Sequence, residues 1–209
     1  MNQSSPEAGA LGGLPLTELL DRLAEKSPVP GGGSVAGITT GLAAGLGGMV
    51  VAYSLGKSSL SEHQSMLETA AERLQRLRGC AVEQADADAA AYRELNTLWR
   101  LDEDDPARIE GFADAVRGAI EAPGAIMHSA REVLDCLREL PERSARHLRS
   151  DLAIAVELAC TGGRAAERNV SVNLPLVEDE TLREELDARY GTLGAEIDTI
   201  ARGIIETLS

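Results

Sequence analysis

Aromatic residues are scarce in this sequence, 2% of 209 positions, with one Trp, one Phe and three Tyr. A core with so few rings must be filled by Ala, Leu, Val and Ile, which suits close helix packing more than a sheet-rich architecture. Cysteine is also rare. Cys80, Cys136 and Cys160 are odd in number and widely spaced, which argues against a disulfide framework or a cysteine zinc site and fits reduced thiols in a cytoplasmic protein. Basic charge is in deficit: 20 Lys and Arg face 34 Asp and Glu, for a net charge of -14. Such a balance argues against binding a phosphate backbone, which needs a basic surface to displace counterions. His63, His128 and His147 lack metal-ligand spacing, so no metal is expected. The stretch from Met1 to Ser5 has neither the basic region nor the apolar core of a signal peptide. Residues 1–14 are expected to form a flexible tail and residues 15–209 a single helical domain.

What is present is helical periodicity. Val35 to Leu55 is an uncharged run of transmembrane length. Gly37, Gly41 and Gly45 recur in it every four residues, which lowers its gain on entering lipid and opens a groove for another helix. A buried central helix is therefore expected, with no membrane association. Leu16, Leu19, Leu20 and Leu23 form the stripe of a short helix that stops before Ser27-Pro28-Val29-Pro30. Gly56 ends the central helix, and a long helix is expected over residues 61–99. Its stripe runs through Leu67, Leu74, Leu77, Ala85, Tyr92 and Trp99. A turn is expected at Asp102 to Pro106, with breaks at Pro123 and Pro141. Val170 to Pro175 reads as extended, and Thr181 with Glu184 as a capping box opening the last helix. The fold class predicted is all-α, an up-and-down bundle around a glycine-rich central helix.

Two phosphate-binding motifs fail on context. Gly31-x-Gly33-x-x-Ala36 has no preceding strand, and Gly56-Lys57-Ser58 lacks the first glycine of a P-loop. Gly31, Gly32 and Gly33 instead read either as backbone that a ligand can approach closely, its helix amides facing an anion, or as a packing loop; Ser34 would cap the helix. Asp88 falls on the apolar stripe between Ala85 and Tyr92, whereas Asp86 points away. A carboxylate on a buried face is either paired or used, and burial raises its pKa towards acid/base values. Asp151 stands beside a stripe of Leu148, Leu152, Ala155 and Ala159, with capping as its alternative role. Lys57 either complements the central helix's C-terminal dipole or contacts substrate.

The segment Leu23 to Ala36, centred on Pro30-Gly31-Gly32-Gly33-Ser34, resembles the opening signature of the formiminotransferase-cyclodeaminase and methenyltetrahydrofolate cyclohydrolase family. The resemblance continues through Gly56-Lys57, Asp88 to Tyr92, Ser150-Asp151 and Asn169 to Leu174. It implies a homodimeric helical enzyme acting on a tetrahydrofolate derivative without a prosthetic group. Asp88, Asp151 and Lys57 would be catalytic, and Pro30 to Ser34, Tyr92, Asn169 and Asn173 would bind substrate. Hydrolysis of 5,10-methenyltetrahydrofolate is the expected reaction, since no formiminotransferase segment accompanies the chain. Cyclodeamination of formiminotetrahydrofolate is the alternative. The sequence departs from the family at Ser58 to Leu60 and at Thr161 to Arg164, which keeps open a non-folate cyclic imine or amidine substrate, or a noncatalytic helical dimer.

Overall fold

The computed structural model describes residues 10–209, which contain six α-helices and no strand. They are α1 (Leu16–Ala24), α2 (Gly32–Ala52), α3 (Gln64–Trp99), α4 (Pro106–Leu137), α5 (Arg149–Asn173) and α6 (Glu180–Leu208). Each joins an antiparallel neighbour from α2 onwards. The start of α2 meets the end of α5 at Gly32 and Asn169, while Tyr53 after α2 packs edge-on against His147 before α5. Contacts between Gly47 and Leu74 and between Gly33 and Asp88 set α2 against α3 in the same sense. Four helices, α2 to α5, surround a core of Leu74, Leu77, Ile120, Met127, Leu134 and Leu152, and α6 covers the α4–α5 face. The all-α, up-and-down expectation holds.

Glycine in α2 works by allowing close approach. A Cβ at Gly37 would stand 2.9 Å from the Ala81 carbonyl and 2.9 Å from the Ala85 methyl of α3, so only hydrogen fits there. The same device operates from the α5 side, where a Cβ at Gly162 would overlap the Thr40 hydroxyl and stand 3.1 Å from the Ala36 carbonyl. The Thr161 to Arg164 departure is thus a tight α2–α5 contact. By length and composition α2 is apolar enough to cross a membrane, yet half of that stretch is buried against its neighbours.

Several boundaries differ from expectation, each because a tertiary contact overrides a local signal. The docked chain begins earlier than residue 15: Leu11–Gly13 form a 3-10 turn, Leu11 is buried, and its N–H donates to Asp86 Oδ1 at 2.7 Å. Residues 1–9 of the expected tail lie outside the described residues. Pro123 does not interrupt α4, which runs through it. Val170 to Asn173 is helical, not extended, and only Leu174–Leu176 tighten into a 3-10 turn around Pro175. Asp179, not Thr181, caps α6, its Oδ1 accepting from the Leu182 N–H at 3.1 Å. On α3 the stripe passes through Ala89 while Tyr92 and Trp99 stay 43% and 50% exposed. Pro141 does lie in the break between α4 and α5, and Asp105 caps α4 from the acidic turn.

Candidate functional site

The α2 start, the middle of α3, α4 and the end of α5 converge on a cavity of about 280 Å³. Gly31, Gly32 and Gly33 form one wall and Asp88 with Tyr92 a second. Asn169 and Asn173 come from α5, and Ala119 from α4. Asp88 and Asn169, 81 positions apart in sequence, thereby line one cavity together with Gly31, Gly32, Gly33, Tyr92 and Asn173. Asp88 is the sole carboxylate among the described residues lining it.

Asp88 owes its place to Gly33. A Cβ on residue 33 would overlap the Asp88 carboxylate, so the glycine lets that group sit at the N-terminal end of α2. Burial pushes the Asp88 pKa up from the ordinary 3.8 to about 6, and the Ser34 backbone N–H opposes this by favouring the carboxylate. At the Ser34 amide the anion is therefore the protein's own side chain. Asp86, two residues earlier, faces elsewhere and holds Leu11.

Ser34 does not cap α2. The helix starts at Gly32 with Gly31 as its N-cap, and the fully buried Ser34 hydroxyl donates to the Ala85 carbonyl at 3.1 Å, tying α2 to α3. Ser34 and Pro30 lie outside the cavity lining, where Pro28 and Val29 take part instead. The Val29–Pro30 peptide is cis. Asn169 donates through Nδ2 to the Ala165 carbonyl at 2.8 Å, and its carboxamide lies beside Gly32.

Asp151 and Lys57 are absent from this cavity. Asp151 belongs to the first turn of α5, 18 residues before Asn169, a separation of about 27 Å along a helix. Lys57 follows Gly56, whose φ of 74° closes the turn after α2, at the end remote from Gly32. Within one chain the expected Asp88–Asp151 pair does not form; both Asp151 and Lys57 sit at the opposite end of the α2–α5 pair. Pro28, Val29, Ala119 and Val172 were not anticipated as lining residues. They carry no chemical signature, and only the folded chain brings them together.

A match to the formiminotransferase-cyclodeaminase family covers residues 15–192. A methenyltetrahydrofolate cyclohydrolase from Methylorubrum extorquens is 31% identical over 90% of this chain and 93% of its own. The formimidoyltransferase-cyclodeaminase of Sus scrofa is 27% identical over 97% of this chain, which spans only 39% of that longer protein. A formiminotetrahydrofolate cyclodeaminase structure from Thermotoga maritima superposes with a TM-score of 0.88 at 23% identity, covering 95% of this chain and 97% of that one, a likeness of fold. Signature, architecture and sequence similarity over nearly the whole length agree, and the chain belongs to the formiminotransferase-cyclodeaminase family.

Proposed function

We propose that this chain is a folate-interconverting enzyme that hydrolyses 5,10-methenyltetrahydrofolate to 10-formyltetrahydrofolate, with Asp88 moving the proton. The observation that carries the reading is a half-buried carboxylate held near pKa 6 in a glycine-walled cavity. The substrate's bridging carbon is amidinium-like and cationic, so an ionised Asp88 attracts it. The same carboxylate takes a proton as water adds to that carbon, forming a C–O bond and a tetrahedral adduct. The adduct collapses by breaking the bond from that carbon to N5, which takes a proton from Asp88; the formyl group stays on N10. One proton is released overall. A group whose pKa lies near the working pH suits both transfers. The cavity volume takes the reacting ring system rather than the entire folate, leaving the anionic tail to extend outside.

Hydrolysis is preferred because the cyclohydrolase relative matches over 93% of its length. Cyclodeamination is the second reading, favoured by similarity to the Sus scrofa protein. Supplying each folate separately distinguishes them. Loss of the methenyl chromophore with 10-formyl product and no ammonia from the formimino compound supports the hydrolase. Ammonia release with methenyl product supports the deaminase, and turnover of neither folate removes both.

The working unit in this proposal is a homodimer. The outer face of α2 leaves Ile38, Leu42, Leu46 and Met49 around Gly41 and Gly45, with Leu42 58% exposed. A second copy related by a two-fold axis across this face covers it, and an antiparallel α2 pairing carries the partner's Lys57 end towards the first chain's Gly31 to Gly33 end. That arrangement reconciles the family-implied roles of Lys57 and Asp151 with their distance from Asp88. The free thiols support a cytoplasmic site of action, and the acidic charge a small-molecule substrate rather than a nucleic acid.

A further inference from the structure

Pro123 leaves a debt in α4. Proline has no N–H, so the carbonyl four residues earlier, that of Ala119, loses its helical donor. Ala119 is buried and lines the Asp88 cavity, where a carbonyl left without a donor is destabilising. The missing donor comes from another helix. Asn173, the last residue of α5 and 7% exposed, donates through Nδ2 to the Ala119 carbonyl at 3.0 Å and to the Asn169 carbonyl at 2.9 Å. Both neighbours are acceptors, which fixes the amide's orientation and engages both of its N–H groups.

We propose that Asn173 is a positioning residue: its carboxamide supplies the hydrogen bond that Pro123 lacks and so fastens the end of α5 to α4. Asn169 and Val172 ride on that end of α5, and Ala119 is on the facing helix. The bond therefore sets the width of the cavity opposite Asp88. With its amide nitrogen committed to two backbone carbonyls, Asn173 acts on substrate through the wall it holds.

The test is a double-mutant cycle, because the wall can be mended from the other side. Asn173→Leu removes the donors at similar volume, and Pro123→Ala returns a backbone N–H to the Ala119 carbonyl. The proposed folate reading enters only in the choice of 5,10-methenyltetrahydrofolate as assay substrate. Asn173→Leu is expected to lower Tm and raise KM about tenfold, while kcat falls less than about threefold. Adding Pro123→Ala is expected to return both Tm and KM most of the way. Recovery of Tm without recovery of KM overturns the proposal, since Asn173 would then act on substrate directly. So does a Leu variant unchanged in both. If Asn173→Leu alone does not fold, folding of the double variant supports the proposal and its failure to fold overturns it. A wild type inactive on the folate defeats the proposed function, whereas absent coupling in Tm defeats this inference.

Discussion

Asp88, in the middle of α3, faces the N-terminal end of α2 from a half-buried position, two influences that pull its ionisation in opposite directions. Burial prevails, which has a consequence for stability as well as for catalysis. The folded-state pKa of about 6 exceeds the ordinary 3.8, so the fold disfavours the ionised form. The associated stability is fully present below the ordinary value and is lost as pH rises through about 6. Asp88→Asn keeps an acceptor for the Ser34 N–H and removes the charge. Thermal melts are expected to show Asp88→Asn above wild type at pH 8, by about 2–4 °C for an effect of about 1 kcal/mol, with the gain shrinking towards pH 4. At this scale the site was partly legible in the sequence. Asp88 announced itself as an acid on an apolar stripe, and the glycines as a place for close approach. What they approach was not legible, because the contact between Gly33 and Asp88 joins residues 55 positions apart. Ala119 and Val172 have no chemistry to betray them, and Ser34's polar role inside the α2–α3 seam looked like a helix cap.

Among the elements, α2 decides the packing. Gly37 is pressed against α3 while the outer side carries Leu42 and other large apolar residues, so one helix serves as both core and exposed surface. Gly37→Ala pushes a methyl against a backbone carbonyl and the Ala85 methyl, neither of which can swing aside. The expected loss is about 1–3 kcal/mol by denaturant unfolding. Gly48→Ala, where a Cβ meets nothing within 4 Å, is the control and leaves stability unchanged or slightly raised. The existence of the helices was readable from apolar spacing, and α3 lies within three residues of its expected start. The misread places share a cause. Pro123 looked like a break because its lost hydrogen bond is visible in sequence while the compensating donor, Asn173, lies 50 residues away. Val170 to Asn173 looked extended because β-branched residues favour strands, yet the bonds from Asn173 and the buried Val170 hold the helix to its last residue.

For the molecule as a whole, chain connectivity places Asp88 and the glycine loop at one end of the bundle and Lys57 and Asp151 at the other. The homodimer proposal turns this separation into a prediction. Leu42→Asp puts a charge in the middle of the exposed α2 face and is expected to yield a folded monomer by light scattering, with turnover reduced at least about tenfold. A wild type that is monomeric and fully active counts against the shared site. Fold class was legible from composition and periodicity; the relation between the two ends was not, because it depends on how antiparallel helices align and on a second copy.

The central claim, that an Asp88 poised by burial performs hydrolysis, is tested most directly by the pH dependence of kcat/KM for 5,10-methenyltetrahydrofolate, followed from pH 5 to pH 8 by chromophore loss above the uncatalysed rate. Wild type is predicted to gain activity with a midpoint near the Asp88 value of about 6, and folded Asp88→Asn to fall about 10²- to 10⁴-fold and lose that midpoint. A folded Asp88→Asn variant with undiminished turnover and the same midpoint would contradict the account.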